Sequence, residues 1–172
     1  MSCEKYLKMY SAVYSRPRLK TFLSALYWVA TVTVVGGYGW YIGYNFIRDF
    51  LLSVYLLVVT AVPFVAVSIM RKVINAPRPY EVFDCDELDT LREYARRGTS
   101  FPSRHVASAF IIGSALTFVI PLLGIIILCL GVLIAVLRVL LGRHFIRDVI
   151  VGAVIGGIAG TVGMLLVNWL FR

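Results

Sequence analysis

The stretch VASAFIIGSALTFVIPLLGIIILCLGVLIAVL, Val106 to Leu137, runs for 32 residues without a charge. One straight helix of that length would measure about 48 Å at ~1.5 Å per residue, whereas the hydrocarbon core of a bilayer is ~30 Å thick. Pro121-Leu122-Leu123-Gly124 stands near its middle, and Pro with Gly favours a turn. The stretch therefore reads as two spans, about residues 103–120 and 122–141, joined by a tight hairpin. Three further charge-free runs lie on either side: Thr21–Ile47 (27 residues), Phe50–Met70 (21) and Val149–Phe171 (23). Each is long enough to cross a bilayer once. The sequence thus predicts an all-α integral membrane bundle of five transmembrane helices.

Composition agrees. Sixty per cent of the 172 residues are hydrophobic, before the 14 Gly are counted, and mean hydropathy is +0.86. A soluble domain of this size cannot hide that much apolar surface. A soluble globule, a disordered chain and a disulfide scaffold are excluded. Cys3, Cys85 and Cys129 form no C-x-x-C pair, so neither a zinc site nor a full disulfide set is implied. The net charge of +8 suits an anionic partner, and in a membrane chain that means lipid head groups or phosphates before nucleic acid.

Five spans fix which segments share a face. The N-terminus, residues 71–104 and residues 138–148 fall on one side. Residues 46–49, the Pro121 hairpin and the C-terminus fall on the other. Tyr38, Trp40, Tyr41, Tyr44 and Trp169 gather on that second side, as an interfacial aromatic belt would. Fifteen of the 17 Lys+Arg lie on the first side, with only Arg48 and Arg172 opposite. By the positive-inside rule the first side is cytoplasmic in a multi-pass cell-membrane protein.

Residues 1–20 carry Lys5, Lys8, Arg16, Arg18 and Lys20, with Tyr6, Leu7, Met9, Tyr10, Val13 and Tyr14 at helical spacing. That pattern fits an N-terminal amphipathic segment on the membrane surface as well as it fits an ordinary basic flank. Gly152, Gly156 and Gly160 recur every four residues, a spacing that lets helix backbones approach closely, and Gly39 and Gly43 repeat it in the first span. The one sizeable polar segment, residues 80–104, holds Glu81, Asp84, Asp86, Glu87, Asp89 and Glu93. Their spacing matches no EF-hand loop, so a solvated or gating loop is expected. The whole chain, 1–172, reads as a single membrane-embedded domain with this loop over its site.

On the first face lie Arg71, Lys72, Arg78, Arg104, His105, Arg138, Arg143, His144, Arg147 and Asp148, which include both histidines of the chain. Ionisable groups at membrane depth are costly, so such a cluster marks a functional site. Several guanidinium and ammonium groups around one pocket suit a tetrahedral oxyanion. Two histidines offer a nucleophile and a proton donor. Asp148 follows His144 by four residues, so on a helix it can hold the imidazole by its N–H and fix the tautomer. No carboxylate cluster suits Mg²⁺ there and no His/Cys set suits Zn²⁺, so no metal or other cofactor is expected. These residues point to metal-free phosphoryl transfer through a phosphohistidine on a membrane-embedded substrate.

The three charged segments resemble the signature of the type 2 phosphatidic acid phosphatase family, the lipid phosphate phosphatases. That signature is Lys, six residues, Arg-Pro; then Pro-Ser-Gly-His; then Ser-Arg, five residues, His, three residues, Asp. Here they match Arg78-Pro79, Pro102-Ser103-Arg104-His105, and Arg138…His144…Asp148. The resemblance covers about residues 50–165. It implies that His144 attacks phosphorus, Asp148 orients it, and His105 protonates the leaving oxygen and later activates water. It also implies that Arg78, Ser103 and Arg138 grip the phosphate. Six-residue spacing before Arg78 lands on Arg71, but residue type favours Lys72. Arg104 replaces the usual Gly, where it adds a phosphate contact or points to water, while Leu137 replaces a Ser. Arg143 and Arg147 match no motif position and read as interfacial anchors.

The function so implied is hydrolysis of lipid phosphate or pyrophosphate monoesters, of the polyprenyl pyrophosphate, phosphatidylglycerophosphate or phosphatidic acid class. The short chain resembles the small prokaryotic members, and of these substrates undecaprenyl pyrophosphate is the one expected. Alternatives are a lipid phosphotransferase of the same fold and a non-enzymatic anionic-lipid carrier. A carrier has no need of Asp148 four residues after His144. Expected partners are a lipid phosphate substrate and membrane lipids, without nucleic acid; a homo-oligomer stays open.

Overall fold

A computed structural model describes residues 3–82 and 98–170. Its helices are α1 (Cys3–Tyr14), α2 (Pro17–Arg48), α3 (Phe50–Ile74), the short α4 (Pro79–Val82), α5 (Arg104–Leu116), α6 (Pro121–Leu140) and α7 (Ile146–Leu170). Four of them, α2, α3 with its α4 extension, α6 and α7, are long and apolar enough to cross a membrane.

Local chemistry sets the helix ends. Pro17 and Pro121 each open a helix, where the missing N–H costs nothing and the fixed φ suits the first turn. Asp49 closes α2 and caps α3, its carboxylate accepting the Leu52 N–H at 3.0 Å. Asn75, at φ 44°, ends α3 with its N–H donating to Arg71 O.

The fifth helix differs from expectation. Helix α5 stops at Leu116, after 13 residues, rather than running to 120. The Phe118 and Val119 amides donate to Ala115 O and Leu116 O, which tightens the chain into the turn before Pro121. At ~1.5 Å per residue α5 is about 20 Å long, short for a bilayer core. It lies at the centre of the bundle, where most of its residues are buried.

The glycine repeat of α7 makes this possible. A Cβ on Gly152, Gly156 or Gly160 would stand 2.7, 2.5 and 2.5 Å from the carbonyl oxygens of Ser103, Ala107 and Ile111 respectively. Three glycines spaced by four thus face three backbone carbonyls spaced by four, and α7 lies flush on α5. The same expectation fails for Gly39 and Gly43, whose Cβ positions have nothing within 4 Å. They face outward from α2, so the spacing alone carried no packing partner.

Aromatic residues divide in two. Trp40, Tyr44 and Trp169 are exposed as a belt would be, but Tyr41 is buried and the Tyr38 hydroxyl bonds Leu56 O and Thr60 Oγ1 of α3. At this end Asp49, Phe118 and Asn168 border one cavity, so the α2–α3 link, the α5–α6 turn and the end of α7 share a face, as five passes require.

The N-terminal segment is a helix whose apolar face is covered by protein rather than turned to lipid. Tyr6, Tyr10 and Val13 are buried, and the Tyr6 ring meets Phe145 edge-on. Within the polar loop 80–104, Asp84, Cys85, Asp86, Glu87, Asp89, Arg92, Glu93, Arg96 and Arg97 lie outside the described residues.

Candidate active site

The end of α3, the residues around Arg78, the segment 99–105 and the α6–α7 connection converge on one cavity of about 160 Å³. Ser68, Arg71, Lys72, Arg78, Thr99, Arg104, His105, Arg138 and His144 line it. Of the predicted site residues, Lys72, Arg78, Arg104, His105, Arg138 and His144 are therefore brought together directly. Asp148 is fully buried behind His144, and Ser103 is fully buried at the start of α5. The Ser103 hydroxyl has no hydrogen-bond partner among the described residues.

His144 sits in the turn between α6 and α7. Its amide, like that of Arg143, donates to Arg138 O, and Gly142 takes φ 66° to let the chain reverse. The ring Nδ1 stands 3.6 Å from Asp148 Oδ2. That oxygen also accepts the Ser100 hydroxyl at 2.5 Å and the Phe145 N–H at 3.0 Å. With Nδ1 turned to Asp148, Nε2 is the nitrogen left for chemistry. Burial holds the imidazole down to about 4 against the raising effect of the Asp148 carboxylate, and the Arg138, Arg78 and Arg71 charges push it down further. The ring is thus neutral near pH 7 with a free lone pair, as a nucleophile must be.

The α1 helix brackets this turn. The Ile146 N–H donates to the Tyr6 hydroxyl at 3.0 Å, and the Tyr14 hydroxyl donates to Leu141 O at 3.0 Å. The Ser103 N–H donates to Asp148 O at 2.9 Å, tying the starts of α5 and α7 together.

Arg71 and Lys72 take different places. The Arg71 guanidinium is buried, with Nη1 donating to Pro102 O at 2.7 Å and Nη2 to Thr99 O. It pins the segment that carries Ser103 and His105. Lys72 is exposed at the cavity wall. Arg78 Nε donates to Gly98 O at 3.0 Å, while Glu81 accepts the Arg78 and Gly98 amides at 2.6 and 3.0 Å. Arg104 lies over the Phe64 ring, 5.6 Å from its centroid. Arg147 is exposed and stands 3.5 Å from Asp148 Oδ1. Arg143 packs 5.8 Å from the centre of the Tyr27 ring.

The sequence does not single out Ser100 or Tyr27, and it shows Tyr6 and Tyr14 only as part of the apolar face of the N-terminal segment. Ser100 carries one weak signal, its place three residues before Ser103; Tyr27 carries none.

Apolar space adjoins the charged cavity. A second cavity of about 220 Å³ shares Arg104 and His105 with it and is walled by Val34, Val35, Phe64, Ile112 and Ile134. A third, of about 230 Å³, continues along Val35, Phe64 and Ile112 to Tyr38 and Thr60. The path runs between α2 and α3 over α5.

Comparison with known proteins places this arrangement. No curated protein sequence matches the chain. Among solved structures, LpxE of Aquifex aeolicus is similar, at 24% identity and TM-score 0.69, over 92% of this chain and 94% of that one. The first transmembrane PAP2 type phosphatidylglycerolphosphate phosphatase from Bacillus subtilis is also similar, at 19% identity and TM-score 0.68, over 98% and 88%. At these identities the likeness is one of fold. The PAP2 superfamily model matches residues 52–172, a stretch that includes Lys72, Arg78, Ser103, His105, Arg138, His144 and Asp148, and the chain belongs to the PAP2 superfamily.

Proposed function

We propose that this protein is a metal-independent membrane phosphatase that hydrolyses lipid phosphate or pyrophosphate monoesters through a phosphohistidine. The observation that carries the reading is the buried His144, with Nδ1 facing Asp148 and its ring at the wall of a cavity lined by five cationic side chains. Nε2 of His144 attacks phosphorus and the bond from phosphorus to the leaving oxygen breaks. His105 gives that oxygen a proton. Water then attacks the phosphohistidine, His105 takes its proton, and phosphate leaves. Lys72, Arg78, Ser103, Arg104 and Arg138 hold the phosphoryl oxygens and stabilise their charge in the transition state.

The apolar cavities that continue from His105 support a lipid substrate, because they give an acyl or prenyl chain a path beside the phosphate site. Phosphatidic acid, phosphatidylglycerophosphate and undecaprenyl pyrophosphate all combine that chain with a terminal phosphate. Phosphate release from each by purified protein in excess EDTA tests the reading. Release from at least one is expected. No release from any, or loss in EDTA that Mg²⁺ or Zn²⁺ restores, overturns it.

The excess of basic residues on the site's face supports a cytoplasmic side for it. Ser15, exposed between α1 and α2, reports on this as Ser15→Cys in a background without native cysteines. An impermeant thiol reagent should leave it unlabelled on intact cells; efficient labelling puts the site outside.

A further inference from the structure

Tyr27 lies on α2, outside the three charged motifs and outside residues 52–172. It is 1% exposed on a helix most of whose residues face outward. Its hydroxyl accepts a hydrogen bond from Arg138 Nη2 at 2.6 Å, and the guanidinium carbon stands 4.5 Å from its ring centroid. The same Nη2 donates to His105 Nδ1, and the His105 ring meets the Tyr27 ring edge-on.

A guanidinium has five N–H donors in a fixed plane. Nη2 gives its two to Tyr27 and His105. Three remain, two on Nη1 and one on Nε. Nε is buried and has no hydrogen-bond partner among the described residues, and Arg138 lines the charged cavity. The Tyr27 ring adds a cation–π contact, which holds the plane as well as the end of the fork. Because Nδ1 of His105 accepts from Arg138, a neutral His105 carries its proton on Nε2.

We propose that Tyr27 is a positioning residue of the phosphate site: it fixes Arg138 so that Nη1 and Nε meet the phosphoryl oxygens while Nη2 sets the proton of His105 on Nε2. The proposal rests on the phosphatase reading above. A tyrosine that only filled space would be replaced by Phe without loss.

The test measures the affinity of the full-length protein for orthovanadate, a phosphate analogue, beside kcat and KM on a lipid phosphate. Tyr27→Phe keeps the ring and the thermal midpoint, and is expected to weaken vanadate binding about tenfold, the usual effect of one lost hydrogen bond to a charged group. In an Arg138→Gln background the same change should cost less than about twofold, because it acts through Arg138. Tyr27→Gln, which retains an acceptor, should bind vanadate more tightly than Tyr27→Leu, and this pair carries the comparison should Tyr27→Phe fail to fold. Wild-type affinity in Tyr27→Phe, or an equal loss in both backgrounds, makes Tyr27 a packing residue and overturns the proposal. Failure of the wild type to bind vanadate overturns it too. Vanadate binding without phosphate release from any lipid sinks the phosphatase reading alone, and the affinity series still judges Tyr27.

Discussion

Oδ2 of Asp148 lies 3.6 Å from Nδ1 of His144, and the Ser100 hydroxyl and the Phe145 amide donate to the same oxygen. The carboxylate is thereby held in place beside the imidazole, as the proposed orienting role requires. Asp148→Asn keeps the size but can present an amide N–H to Nδ1 and favour the wrong tautomer. A fall in kcat of roughly 10²–10⁴ is expected, by analogy with other His–Asp pairs. Ser100→Ala removes one donor to the carboxylate and a contact of 3.4 Å to His144 Nδ1, and about a tenfold fall is expected. Steady-state rates on one lipid phosphate check both; equal effects would mean that Ser100 does more than steady Asp148.

What could be read from the sequence follows from where the signal is carried. The apolar runs and the Pro121 hairpin are local, so the spans were legible to within a few residues. The shortness of α5 was not, because its end depends on the turn at Thr117–Val119 inside an unbroken apolar run. The cationic cluster was legible because charge is conspicuous beside such runs. Tyr27 meets Arg138 across 111 positions and Tyr6 meets Ile146 across 140. One tyrosine among ten carries no mark of such a contact until the helices are packed. Spacing favours Arg71 and residue type Lys72, so the sequence leaves the two in conflict; the difference lies in the carbonyls of Thr99 and Pro102, which occupy Arg71.

The His144 imidazole, held at about 4 chiefly by burial, implies a pH dependence. The unfolded chain takes up this proton near 6.5, before the folded one does. Stability is therefore expected to decline as pH falls from about 6.5 towards about 4, with the native state binding fewer protons across that window. In His105→Gln only one histidine remains, so ¹³C-labelled histidine reports His144 alone by NMR. A titration midpoint near 4 is expected, and one at 6.5 or above would show a solvated ring.

Close packing of α7 on α5 is testable at Gly156. An added Cβ would stand 2.5 Å from Ala107 O and 2.9 Å from Phe110 Cβ, so the helices must part. Gly156→Ala should cost about 1–3 kcal/mol of overpacking, more than the ~1 kcal/mol that Ala gains over Gly in a helix. Gly39→Ala has open space around it and should be neutral or slightly stabilising. Thermal unfolding of the two variants in detergent decides; equal midpoints would mean that the α5–α7 contact is looser than described.

The two histidines should separate by what each leaves behind. If His144 attacks phosphorus, His144→Ala removes the only route to a covalent intermediate, and no phosphoenzyme forms. If His105 is first the acid and then the base, its loss touches both halves of the reaction. An aryl phosphate has a leaving oxygen that needs no proton. His105→Ala should therefore still accept the phosphoryl group from it, with the aryl oxide departing unprotonated. Without a base for water the intermediate then hydrolyses slowly, and phosphohistidine accumulates. The measurement is acid-labile, base-stable label from a ³²P aryl phosphate. Label on His144→Ala, or no accumulation on His105→Ala while it turns over the aryl ester at the wild-type rate, would reverse or dissolve the assignment of nucleophile and acid.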